Sequence, residues 1–262
     1  MLIFKHIKIF FCILILSLNS LAHNFTVEQK EAIKLFNQGV NYANQKKYEE
    51  SIINFDKSII KFPRLIGAYY SKSKVFIILK KYNEAILVCD EALKVIENQP
   101  KILAQKALCL YILKNYKESL KVAELAVQYG NELPIAYEMR ANAHGALGQY
   151  ELAIEDYDKA LSLAKNQDNS DFDETYLNRF CPLYKLKRYD EALITCNKAL
   201  EITNDASKLP QIYSKKALVL NKLGQHKEAL ENAEKALKID AKDSLGVSEK
   251  KIAESKLKKG FI

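Results

Sequence analysis

Small and apolar residues recur along this chain in two alternating stripes, each at three- and four-residue steps. Steps of that size place residues on one face of an α-helix, so each stripe predicts an amphipathic helix. The stripes return with a fixed period. Tyr48, Tyr82, Tyr116 and Tyr150 lie 34 residues apart, inside KKYEES, KKYNEA, KNYKES and GQYELA. The motif returns as KRYDEA at Tyr189 and as GQHKEA, where His226 replaces the tyrosine. A period of this length marks a stacked-repeat protein, and 34 is the length of a helix–turn–helix unit.

Setting the recurring tyrosine at position 17 fixes six units: 32–65, 66–99, 100–133, 134–167, 173–206 and 210–243. Position 4 is large: Leu35, Tyr69, Leu103, Tyr137, Tyr176 and Tyr213. Position 8 is small (Gly39, Ser73, Ala107, Ala141, Ala217), and so are positions 20 and 27 throughout. Two antiparallel helices pack closely only where small side chains meet and large ones fill the flanks. Positions 4, 8 and 11 therefore mark one helix face, and positions 20, 24 and 27 the face opposite. Pro63 sits near the end of the first unit; Pro100, Pro134 and Pro210 sit at unit starts, where a missing N–H is harmless.

Six units in register resemble the tetratricopeptide repeat family over about 32–243. The resemblance implies an all-α, right-handed superhelical solenoid of six helix pairs, with the first helix of each pair lining a concave face. It also implies an adaptor that holds a peptide or helix of a partner protein there. Thr26 with Gln29 is a capping-box pattern that starts the first helix near Val27. After Asp243, residues 244–262 read as a C-terminal capping helix and tail. In it Val247, Ile252 and Ala253 cover the last repeat while the lysines face water, as repeat arrays require of their ends.

Residues 1–22 differ. Lys5, His6 and Lys8 precede an apolar run from Ile9 to Leu18, and Ser20-Leu21-Ala22 follows. This is the pattern of a signal peptide cleaved after Ala22, so that the repeat domain would run from residue 23 to 243. An uncleaved anchor is the alternative, but the run is about half of the roughly 20 residues a span needs. The expected location is outside the cytoplasm, periplasmic or secreted, with no membrane span after cleavage. The abundance of Lys, Ile and Asn points to an AT-rich bacterial source.

The net charge is +8, and +6 without Lys5 and Lys8. Lysines alternate with acids almost everywhere, which reads as a solvated helix surface rather than a nucleic-acid footprint. The histidines fit packing positions, and no HExxH, GxSxG or phosphate loop occurs. No enzyme, cofactor or metal site is expected.

The fifth unit departs from the pattern. Phe180 fills its small position 8, and Pro182, inside its first helix, is expected to bend it. A five-residue insertion, 168–172, precedes it and carries Asp168 and Asp171 ahead of Asp173 and Glu174. The insertion reads as a longer linker whose acids cap the next helix, with a bent groove for one partner as the alternative. A calcium loop lacks its glycine and terminal glutamate. Cys89 with Cys109, and Cys181 with Cys196, lie level across antiparallel turns. Both pairs are possible disulfides in an exported chain; four small buried hydrophobes are the other reading.

By resemblance, positions 2, 5, 9, 12 and 13 face the groove. The residues so placed to bind a partner include Phe36, Tyr70, Lys74, Tyr111, Ile112, Asn142, Cys181, Tyr184, Leu218, Asn221 and Lys222, or else some contact neighbouring repeats. Asn142, Asn178 and Lys215 occupy positions where one subtype clamps a C-terminal carboxylate, and Asn178 and Lys215 join the residues expected to bind a partner. Glu138 and Gln211 stand where that clamp has lysines, so the clamp is absent. The function expected is an exported interaction scaffold of a bacterial envelope complex. Alternatives are a protein secreted to engage a foreign partner, or a periplasmic assembly chaperone.

Overall fold

The computed structural model describes residues 25–164 and 172–259. Residues 1–22, expected to be a signal peptide, lie outside them, as do Asp168 and Asp171 of the insertion. The described residues form thirteen helices and no strand. The first pair is α1 (Val27–Asn44) and α2 (Tyr48–Lys61), followed by α3 (Ile66–Ile78) with α4 (Tyr82–Val95) and α5 (Pro100–Ile112) with α6 (Tyr116–Tyr129). Then come α7 (Pro134–Ala146) with α8 (Tyr150–Ala164), α9 (Asp173–Lys185) with α10 (Tyr189–Ile202), and α11 (Leu209–Lys222) with α12 (His226–Ile239). The last helix is α13 (Ser244–Lys259). The all-α helical repeat solenoid is thus present. The chain divides into two compact units, with the boundary between Met139 and Arg140 inside α7.

Each recurring tyrosine, and His226, is the first residue of a second helix. The turn before it is the same in all six copies. Position 15 has a left-handed backbone: Lys46, Lys80, Lys114 and Lys187 at φ 59° to 62°, Gly148 and Gly224 at φ 80° and 79°. The position-16 N–H then donates to the position-11 carbonyl, as Lys47 does to Tyr42 and Gln225 to Leu220, both at 2.9 Å. That 6→1 bond with a left-handed residue before it is a Schellman motif, which satisfies carbonyls the ending helix leaves open. At the other end of α1 the capping box forms, with Gln29 N–H donating to Thr26 Oγ1 (3.2 Å) and Thr26 N–H to Gln29 Oε1 (2.9 Å).

The small positions are the helix crossings. Ala107, Ala141 and Ala217 at position 8, and Ala85, Ala153, Ala192 and Ala229 at position 20, are completely buried. Where serine replaces alanine at position 20, its hydroxyl bonds the position-8 carbonyl across the crossing: Ser51 to Gly39 and Ser119 to Ala107, each 2.8 Å. At Gly39 an added Cβ would stand 2.7 Å from the Phe55 ring, so glycine sets how closely α1 and α2 approach. Phe180, the exception at position 8, is buried and stacks on Tyr184 at 5.9 Å. Helix α9 stays α-helical through the buried Pro182 to Lys185.

Successive pairs are joined by an ion pair that repeats in register. An acid at position 25 of one unit meets a cation at position 7 of the next: Asp56–Lys72 and Asp90–Lys106 at 2.6 Å, Asp158–Arg179 at 2.7 Å, Glu234–Lys250 at 2.8 Å. The last of these shows what α13 is. Counting from Ser244, Lys250 stands at position 7, so α13 packs on α11 and α12 as the first helix of a seventh unit. Ala253 is buried as expected, but Ile252 does not cover the last repeat. It stands at position 9 of this helix and is 40% exposed.

Candidate functional site

The first helices turn one stripe of residues outward. In the second compact unit it is formed by positions 2, 9 and 13: Glu174, Cys181 and Lys185 on α9, and Gln211, Leu218 and Lys222 on α11. These spacings of seven and four keep each set on one helix face. All are exposed but Leu218, which is half-buried. In the first unit the corresponding face is more apolar. Tyr70, Lys74, Leu108 and Tyr111 are half-buried there, and Ile112 is exposed. Burial pushes the Tyr70 hydroxyl up to about 12, with the nearby Cys89 adding to it, and lowers the Lys74 ammonium from its ordinary value. Both groups therefore sit in a partly dry surface, where a partner's contacts would be strengthened.

Tyr111 and Tyr184 hold the same repeat position and the same local contact. Each ring lies against the tyrosine that opens the following helix, Tyr111 on Tyr116 and Tyr184 on Tyr189, with centroids 5.6 Å apart and planes at 53° in both. One face of each ring is thus fixed by packing.

Two residues expected in the groove are elsewhere. Phe36 is fully buried in the core with Ile33, Val40 and Phe55, its ring 5.9 Å from that of Phe55. Position 5 turns inward in most copies: Ala104, Leu177 and Ser214 are buried too. Asn142 is buried because the Tyr157 hydroxyl donates to its Oδ1 at 2.5 Å. Lys215 is half-buried and ties α11 to α9. Its Nζ donates to the Leu177 carbonyl at 3.0 Å and lies 5.1 Å from the Phe180 ring centroid. Asn178 is half-buried on the same helix as Tyr184, and Lys222 is exposed.

Several polar groups inside the second unit pair with one another. Arg140 binds the buried Asp156 through two hydrogen bonds of 2.7 and 2.6 Å. His144 Nε2 lies 3.8 Å from the same carboxylate, while its Nδ1 pairs with Gln149 at 2.6 Å. Asn221 donates to Glu249 Oε2 at 2.9 Å and faces His226 Nδ1 at 3.0 Å, which anchors α13. Asp173, at the start of α9, accepts from Lys208 at 2.8 Å and from Thr203 at 2.7 Å. It is thus tied to the linker before α11 rather than capping its own helix.

The four cysteines among the described residues are free thiols. Cys181 and Cys196 lie level along α9 and α10 but on different sides: Cys196 is buried between the helices and Cys181 is exposed. Level positions do not make a bridge when the side chains point apart. Cys89 and Cys109 are both buried, and burial pushes each thiol up to about 12, with Cys109 adding to the effect on Cys89.

A cavity of about 190 Å³ in the first unit is lined by Leu93, Leu103, Leu125, Tyr129, Glu97 and Asn98. It falls below the size at which drug-sized ligands are enclosed. Among the described residues no three His, Cys, Asp or Glu side chains are grouped to hold a metal ion, and no helix is long and apolar enough to cross a membrane.

The tetratricopeptide repeat family matches this chain over residues 66–99 and 134–167, each the frame of one structural unit, and over 183–242, which runs from inside the fifth unit through most of the sixth. Solved structures of repeat proteins superpose on most of its length. This chain is a tetratricopeptide repeat protein. The fold is that of a protein–protein interaction scaffold, a type that is typically non-catalytic.

Among solved structures, the Cut9–Hcn1 hetero-tetramer of the APC/C is similar over 93% of this chain and 45% of that chain, with TM-score 0.76 and 20% identity. The Pseudomonas aeruginosa pilF protein is similar over 86% of this chain and 98% of that one, with TM-score 0.71 and 17% identity. YrrB, a TPR protein with an unusual peptide-binding site, is similar over 75% of this chain and 97% of its own, with TM-score 0.57 and 20% identity. At these identities the likeness is one of fold. The mitochondrial import receptor subunit TOM70 of Rattus norvegicus is 33% identical over 67 residues, which is 26% of this chain and 11% of the receptor. The chain thus spans less than half of the Cut9–Hcn1 chain and a small part of the receptor.

Proposed function

We propose that this tetratricopeptide repeat protein is an exported scaffold that holds a segment of a partner protein against the outward face of its first helices. One observation carries the reading. Helices α5 and α11, which bury Ala107 and Ala217 at their crossings, leave Tyr111, Leu218 and Lys222 on their outer side, and α9 leaves Tyr184 half-buried beside Phe180. Surfaces of that mixture suit an amphipathic helix or extended peptide.

Export rests on the basic, apolar and small-residue succession of residues 1–22. The setting we favour is a bacterial envelope complex. The experiment is an affinity pull-down from the native envelope, with N-terminal sequencing of the recovered bait. A bait beginning at His23 and a discrete protein partner support the reading. A full-length cytoplasmic bait removes the export, and a promiscuous set of unfolded clients replaces the scaffold with a chaperone.

A further inference from the structure

The outward stripe of the second compact unit has a regular charge pattern. Three first-helix frames carry lysine at the same position: Lys185 on α9, Lys222 on α11 and Lys256 on α13, each at position 13. All three are exposed, and none holds a salt bridge among the described residues. Four residues before each lysine stands an uncharged side chain: Cys181, Leu218 and Ile252. A separation of four puts both members of each pair on one face of their helix. A line of three lysines therefore runs beside a line of three apolar groups. Helix α11 carries no acid, and the acids of the neighbouring second helices, Asp190, Glu191, Glu201, Glu228, Glu231 and Glu234, belong to α10 and α12. On the outward stripe itself the acid is Glu174, at its α9 edge; of the acids of α13, Glu249 is buried and bonded to Asn221, and Glu254 is half-buried with Lys250 at 3.9 Å.

We infer that this face of the second unit takes an acidic amphipathic segment of a partner protein, laid across α9, α11 and α13. The inference rests on the interaction reading above and specifies its partner. Acids along one side of such a segment would meet Lys185, Lys222 and Lys256, while apolar residues beside them cover Cys181, Leu218 and Ile252. A nucleic-acid strand fits less well. Strands without sequence preference are held by exposed aromatic platforms, and the ring on this face, Tyr184, is packed between Phe180 and Tyr189.

The test is selection of a random helical-peptide display library on the full chain and on the charge-reversed variant Lys185→Glu, Lys222→Glu, Lys256→Glu. A control variant, Lys227→Glu, Lys238→Glu, Lys242→Glu, makes the same change of net charge away from the stripe. The wild-type chain should select peptides enriched in Asp or Glu on one helix face beside apolar positions. Their affinity should fall between roughly 0.05 and 0.5 M salt. It should fall at least about tenfold in the stripe variant and stay unchanged in the control. Selected peptides without acid enrichment, or equal loss in both variants, would overturn the inference and leave peptide binding standing. A library that returns no binder while a single-stranded DNA oligonucleotide binds the stripe would overturn both.

Discussion

Gly145 and Gly148 stand three residues apart at the end of α7, and they do opposite work. Gly145 is inside the helix, and a Cβ there would meet the Ala153 methyl at 3.8 Å, an ordinary contact. Gly148 has φ +80° with nothing within 4 Å of an added Cβ. Alanine relieves the entropic cost of glycine in a helix, while left-handed backbone penalises any L side chain. Gly145→Ala should therefore stabilise by roughly 0.5–1 kcal/mol, and Gly148→Ala should destabilise by about 1 kcal/mol. Thermal unfolding of the two variants checks the sign. Shifts in the same direction would contradict the turn described here.

Asp156 is buried and depends on Arg140 for its two strongest bonds. Removing one partner of a buried pair leaves an uncompensated charge. Arg140→Met should cost about 3 kcal/mol or more. Lys250→Met, which breaks the better-solvated pair with Glu234, should cost no more than about 1 kcal/mol. Denaturant midpoints decide it, and equal losses would show that Asp156 is solvated.

Much of this architecture was legible because packing constraints recur. Positions 8, 17, 20 and 27 each face one geometric demand six times, so the tyrosines, alanines and serines repeat. The left-handed position 15 was harder to see. Glycine fills it only at Gly148 and Gly224, and lysine hides the same backbone in the other four copies. The ion pairs between positions 25 and 7 were hidden by the general alternation of Lys with Glu and Asp. The groove assignments failed at Phe36 and Asn142 for different reasons. Position 5 turns inward in most copies, so Phe36 enters the core against the Phe55 ring, and Asn142 is buried where the Tyr157 hydroxyl donates to it. Position alone does not reveal either partner.

The thiols separate by burial. Cys89, Cys109 and Cys196 are buried, each pushed from an ordinary value near 9.0 to about 12, and Cys181 is exposed. A thiol reagent at neutral pH should label Cys181 in the native chain and the other three only after unfolding. The folded state holds these three protons more tightly than the unfolded chain. The stability they contribute is complete below about pH 9 and is lost as pH rises from there toward about 12. Alkaline unfolding should therefore move to higher pH when Cys89 and Cys109 are replaced by Ala together. Equal labelling of all four thiols, or a Cys89–Cys109 bridge in the native chain, would contradict this.

Tyr111 offers the most direct test of the binding face. Large rings that a partner buries carry a disproportionate share of binding energy, and Tyr111 is half-buried with one face held by Tyr116. The measurement is titration calorimetry of the recovered partner against the wild-type chain and Tyr111→Ala, with circular dichroism of both. A loss of more than about 1 kcal/mol of binding energy with helix content intact is the result expected. Unchanged affinity in a folded variant would place the partner elsewhere on the repeats and contradict the account.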